Sequence, residues 1–97
     1  MENDRVIRLR LRFRGLVQGV GFRWRACRAA RSVGATGWVR NEMDGSVAME
    51  IQGTDKQIDA VLSALDRGLY IRIEETERFA IPPETGERNF AALDDAW

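Results

Sequence analysis

The sequence predicts an α+β fold in which two helices lie on one face of an antiparallel sheet. Three observations carry this. Val6 to Arg14 alternates strictly, with Ile7, Leu9, Leu11 and Phe13 against Arg8, Arg10, Arg12 and Arg14, and a side-chain period of two is a strand with one buried face. Two later stretches, Phe22 to Val33 and about Lys56 to Arg67, carry apolar residues at helical spacing. Asp44-Gly45 stands between two alternating stretches, a strong hairpin signal. The resulting order is β-α-β-β-α-β with a short fifth strand, a ferredoxin-like two-layer sandwich. That fold serves many functions, RNA binding among them, so function has to be read from particular residues.

Each element has its own local reason. In the first helix Phe22, Ala26, Ala29, Ala30 and Val33 form a narrow stripe of mostly small side chains, which lets a helix lie close on a sheet. Arg25, Arg28 and Arg31 fall away from that stripe, and Gly34 supplies the stop. Trp24 reads either as a packing residue at the rim of a site or as a helix-edge residue. A second strand spans roughly Ala35 to Arg40 and a third Ser46 to Gln52, where Val47, Met49 and Ile51 alternate with Ala48, Glu50 and Gln52. The second helix buries Ile58, Val61, Leu62 and Leu65 and stops at Gly68. Thr54 or Asp55 serves as its cap, with Gln57 three residues after Thr54. A fourth strand runs from about Leu69 to Phe79, and its alternation slips after Ile73, at Glu74-Glu75, as a β-bulge would require. Pro82 to Gly86 is a loop, and a last short strand lies at Asn89 to Leu93.

The 97 residues form one domain, 1–97, able to bury about two-thirds of the surface of the unfolded chain. With 44% hydrophobic and 31% charged residues the expectation is a soluble globular protein. No apolar run is long enough to span a bilayer, and Met1 to Arg5 does not begin a signal peptide. Cys27 is the only cysteine, so no internal disulfide forms, which suits a cytoplasmic location; its place on a helix favours packing over catalysis. There is no histidine. His-based acid–base catalysis is excluded, and so are zinc sites of the His-containing and all-thiolate kinds. Net charge is zero, yet residues 1–41 carry ten arginines against Glu2 and Asp4, while residues 42–97 carry thirteen acids against Lys56 and four arginines. In a compact fold these halves interleave. The arginine comb of the first strand is either a nucleic-acid contact or a solvated face paired with acids on neighbouring strands. The second reading is favoured, because basic and aromatic residues do not interleave along it as a stacking platform requires.

The stretch between the first strand and the first helix carries the chemistry. Gly15-Leu16-Val17-Gln18-Gly19-Val20-Gly21-Phe22-Arg23 enters the helix with no Ser, Thr, Asp or Asn at the cap position. The first N–H groups are therefore unoccupied by any side chain, at the positive end of the helix and beside a permanent cation, Arg23. Free N–H groups and a guanidinium together suit a phosphate-like dianion. The second helix, by contrast, is capped by its own residues. Asn41, at the end of the second strand, is the other candidate. Its side chain cannot act as a base, but it can hold a water in line for attack. Read alone, Arg23 is a first-turn surface arginine and Asn41 an ordinary residue before a turn.

Taken together with Gly37-Trp38-Val39-Arg40-Asn41 and Asp44-Gly45-Ser46-Val47, the Gly15–Arg23 stretch resembles the acylphosphatase family. The resemblance runs from about Leu9 through the second helix. It implies an α/β sandwich with a fifth strand, and hydrolysis of acyl phosphates to carboxylate and inorganic phosphate with no metal or cofactor. It further implies that Arg23 binds the phosphate, that the backbone N–H groups of Gln18, Gly19, Val20, Gly21, Phe22 and Arg23 cradle it, and that Asn41 orients the attacking water. The chemistry is compatible with a chain lacking histidine, since a carboxylate leaves without needing a proton. The C-terminal end departs from the family pattern, as Asn89 to Leu93 runs into Asp94-Asp95-Ala96-Trp97; that change bears on the edge strand and on any contact between the chain terminus and the site, while the residues Arg23 and Asn41 themselves are unaltered. The expected partners are a small acyl phosphate and inorganic phosphate, with no nucleic acid and no membrane, for a cytoplasmic monomer. The rival readings are a non-catalytic module that binds acyl or carbamoyl phosphate, and an RNA-binding sheet using Arg8, Arg10, Arg12 and Arg14.

Overall fold

A computed structural model describes residues 5–96; the readings that fall on 1–4 and 97 lie outside the described residues. The elements are β1 (Ile7–Leu16), α1 (Phe22–Val33), β2 (Thr36–Asn41), β3 (Val47–Gly53), α2 (Asp55–Asp66), β4 (Arg72–Ile81) and β5 (Phe90–Ala92). They form one five-stranded sheet in the order β4-β1-β3-β2-β5. The two helices cover one face. β1 supplies Leu9, Leu11 and Phe13 to the core, α1 supplies Phe22, Ala26, Cys27 and Ala30, and α2 supplies Ile58, Val61 and Leu65. The small residues of α1 let it lie close to the strands, and truncating any one of the larger core side chains should cost about 2–5 kcal/mol.

β1 pairs antiparallel with both β3 and β4, and β2 pairs antiparallel with β3. β5 departs from the expected all-antiparallel sheet: Phe90 to Ala92 run parallel to Gly37 to Val39. The sheet is mixed because β4 ends opposite Arg8, and the chain then crosses the open face along that end of the sheet. β5 therefore starts where β2 starts and runs the same way. The crossing segment is held by Arg8, whose guanidinium donates to both oxygens of Glu87 at 2.8 and 3.2 Å, and by Gln52, which exchanges hydrogen bonds with the backbone of Glu84.

β4 begins at Arg72 rather than Leu69, since Gly68 to Ile71 form a turn closed by Ile71 N–H to the Gly68 carbonyl. The bulge lies where the alternation slips: Arg14 faces Glu75 and Gly15 faces Ile73, leaving Glu74 as the extra residue. The α2 cap is Thr54, which accepts from Gln57 N–H while the Gln57 side chain accepts from Thr54 N–H.

The arginine comb is paired as expected, with Arg10 on Glu50 at 2.8 Å, Arg12 and Arg14 on Asp44, and Arg14 also near Glu77. Two details differ from the expectation. Arg8 is not solvated: it is 1% exposed, enclosed by Glu50, Gln52 and Glu87 beneath the crossing segment. The face also carries an aromatic residue from a neighbouring strand, since the Trp38 ring lies between the guanidiniums of Arg10 and Arg40, 5.8 and 5.2 Å from its centroid. Both arginines already occupy that ring. No helix among the described residues is long and apolar enough to cross a membrane.

Candidate active site

The loop from β1 to α1 is held at both ends. Phe22, the first residue of α1, sets its ring against Phe13 of β1, with centroids 5.1 Å apart. The Gln18 amide donates to the carbonyls of Glu42 and Ser46 at 2.7 and 2.9 Å, fastening the loop to the β2–β3 hairpin. Within the loop, Gly19 and Gly21 take φ of 73° and 79°, the left-handed region that only glycine enters freely. Gly21 is the N-cap of α1 and makes no side-chain cap. Among the described residues no backbone N–H from Gln18 to Arg23 meets a protein acceptor outside the helix, so the donors of the open helix end are free to face an anion.

A small cavity of about 200 Å³ opens against this loop, lined by Gly19, Gly21, Phe22, Arg23 and Asn41, with Val17 and Trp24 completing the wall. Asn41 enters because β2 ends beside the loop, its neighbour β3 lying next to β1. The residue is 7% exposed as a whole, and it lines the cavity beside Arg23. The cavity thus brings an amide, with its donor pair and acceptor, to the same wall as a guanidinium.

Arg23 already has neighbours. One of its terminal nitrogens, Nη1, donates to the Leu93 carbonyl at 3.0 Å and stands 2.9 Å from Asp95 Oδ1. That carboxylate oxygen is buried and has no hydrogen bond of good geometry, so the contact is a charge pairing and not a directed bond. The same segment reaches Asn41, whose carbonyl accepts from Ala96 N–H at 3.0 Å. The altered C-terminal end, whose contact with the site the sequence left open, does reach it: β5 running parallel to β2 carries Leu93 to Ala96 up to Arg23 and Asn41.

A model of the acylphosphatase family matches residues 9–92. The chain belongs to the acylphosphatase family. An acylphosphatase of Oceanobacillus iheyensis is 44% identical over 71 residues, covering 71% of this chain and 78% of that protein. One of Leuconostoc mesenteroides is 44% identical over 70 residues, covering 70% and 78%. Among solved structures, the acylphosphatase of Bacillus subtilis superposes with a TM-score of 0.82 at 25% identity, covering 90% of this chain and 98% of that one. The family fold, a two-layer sandwich with two helices on one face, is the fold described above.

Of the residues singled out in the sequence, Gly19, Gly21, Phe22, Arg23 and Asn41 line one cavity. Gln18 spends its side chain on the hairpin, and Val20 lines a second groove on the far side of the loop. Trp24 is 63% exposed at the helix edge, with the Arg28 guanidinium 5.3 Å from its ring centroid. Cys27 is buried, and burial pushes its thiol up while Arg31 and Arg23 pull weakly the other way, which leaves it a poor nucleophile. Asp95 and Leu93 were not legible as site residues. Their contact with Arg23 spans some seventy positions, and no local pattern marks it.

Proposed function

We propose that this acylphosphatase-family chain hydrolyses acyl phosphates through the cavity shared by Arg23 and Asn41. The phosphoryl group rests on the open N-terminus of α1 and the loop N–H groups, with Arg23 holding two of its oxygens. The observation that carries the reading is the shared cavity, where Asn41, 7% exposed, lines the wall together with Arg23 and the uncapped loop. Asn41 holds a water on the phosphorus. The water oxygen forms a bond to phosphorus as the bond from phosphorus to the acyl oxygen breaks. The electron pair of that bond leaves on the carboxylate, which is stable without a proton, so no general acid is needed. The water proton passes to a phosphoryl oxygen of the substrate. Charge spreads over the phosphoryl oxygens in the transition state, where N–H groups and a guanidinium stabilise it.

The same reading takes the protein as a cytoplasmic monomer that binds no nucleic acid. Supporting it, both sheet edges are poor templates for another strand: β5 is three residues long and β4 carries Arg72, Glu74, Glu75, Glu77 and Arg78. The arginines of the open face are engaged by acids or by Trp38.

Purified protein should hydrolyse benzoyl phosphate in the presence of a chelator, and Arg23→Ala should lose at least about 100-fold in kcat/KM, or about 3 kcal/mol of barrier. A wild type that does not turn over, yet is protected from unfolding by inorganic phosphate, would make the chain a binding module.

A further inference from the structure

Asn41 lies on one side of the loop that leaves β1, and a larger groove lies on the other. The sheet order β4-β1-β3-β2 sets Asn41, at the end of β2, to one side of β1 and the start of β4 to the opposite side. On the β4 side an open groove of about 690 Å³ is lined by Leu16, Gly19, Val20, Leu69, Tyr70 and Arg72, among others. Gly19 also lines the cavity of Arg23 and Asn41, so only a residue with no side chain, and with open space where a Cβ would stand, separates them there. Three large apolar side chains stand in solvent here: Leu69 is 85% exposed, Tyr70 70% and Leu16 56%. Folding alone gives no reason to collect them beside a polar cavity.

Displacement at phosphorus runs in line, with the nucleophile and the leaving group on opposite sides of the phosphorus atom. A water held by Asn41 attacks from the β2 side. The leaving carboxylate, with the acyl chain it carries, then points toward β4. We infer that the groove of Leu69 and Tyr70 is the acyl-group subsite and that it selects aryl acyl phosphates over small aliphatic ones. Tyr70 and Leu69 supply the apolar surface against which the ring lies. Arg72, exposed and with no ion pair among the described residues, borders the same groove, where a planar guanidinium can stack on an aryl ring. This inference rests on the assignment of Asn41 and Arg23 given above.

The test compares benzoyl phosphate with acetyl phosphate for wild type, Tyr70→Ala and Tyr70→Phe, with inhibition by inorganic phosphate measured alongside. Tyr70 is mostly solvent-exposed, so its removal should leave the fold intact. Tyr70→Ala should lower kcat/KM for benzoyl phosphate about tenfold, while acetyl phosphate changes by less than about twofold. Phosphate inhibition should not move, and Tyr70→Phe should keep the aryl preference. An unchanged ratio between the two substrates, whether both fall or neither does, overturns the subsite; a groove that serves as a contact for another protein would give that result. Failure of the underlying assignment looks different: Arg23→Ala would leave both substrates unaffected.

Discussion

Replacing Asp95 by asparagine should tighten the binding of inorganic phosphate about fivefold. The carboxylate stands 2.9 Å from the Arg23 guanidinium, at the edge of the cavity that would receive a phosphoryl group. A dianion arriving there has to displace Asp95 or share the cation with it. Unit charges 4 Å apart interact by about 4 kcal/mol at an effective dielectric of 20 and about 1 kcal/mol in water. The side chains of Arg23 and Asp95 are 34% and 31% exposed, so solvent screening brings the pair to the lower end, about 1 kcal/mol. Removing that competition corresponds to about a fivefold gain in affinity. The assay is competitive inhibition by phosphate at low ionic strength. Asp94→Asn is the control, since Asp94 is exposed and makes no contact with Arg23 while carrying the same charge. In an Arg23→Ala background the effect of Asp95→Asn should vanish. Unchanged phosphate inhibition, or an equal gain from Asp94→Asn, would refute competition at Arg23; weaker binding would mean that Asp95 holds the guanidinium in its working position.

Other consequences concern stability and mechanism. Arg8→Met should destabilise the fold by about 3 kcal/mol, because it leaves Glu87 enclosed without its cation while Glu50 keeps only Arg10; urea denaturation reads this, and a loss below about 1 kcal/mol would show the crossing segment to be held by other contacts. Stability should also fall in acid. The Asp44 carboxyl lies well below the usual carboxylate range because it accepts from the Ser46 hydroxyl and N–H and from Arg14. Burial alone would push Glu87 up, but hydrogen bonds from Arg8 and Thr36 outweigh it and hold it low. Both groups bind protons more readily when unfolded, so their contribution is present above the unfolded carboxylate pKa, about 4, and is lost as the pH falls through their folded values. The urea midpoint should decline from pH 5 to pH 3, and a midpoint that rises over that range would contradict the assignment. Asn41→Asp should gain no rate if a substrate oxygen takes the water proton; a faster variant would place the base in the protein.

The strand alternation of β1 and the helical stripe of α1 were legible because each is local: Phe22 to Val33 is the helix that its spacing predicts. The bulge at Glu74 was legible for the same reason, since a slip in a period-two pattern marks an extra residue. The uncapped start of α1 against the Thr54–Gln57 cap of α2 could likewise be read from single residues. What could not be read depends on where the chain returns. Arg8, Arg10, Arg12 and Arg14 are equivalent in sequence, and only the segment that carries Glu84 and Glu87 across the face makes Arg8 a buried residue. Trp38 falls between Arg10 and Arg40 through strand pairing, which no single strand reveals. The direction of β5, and with it the arrival of Asp95 at Arg23, follows from that same crossing.

The division of labour between Arg23 and Asn41 is tested most directly by the Asn41→Ala enzyme, assayed for benzoyl phosphate turnover and for inhibition by inorganic phosphate. If Asn41 orients water and Arg23 with the loop binds phosphate, kcat should fall at least about 100-fold while phosphate inhibition stays within about twofold of wild type. If turnover persists near the wild-type rate, or if phosphate inhibition is lost in parallel with kcat, Asn41 does not position the attacking water.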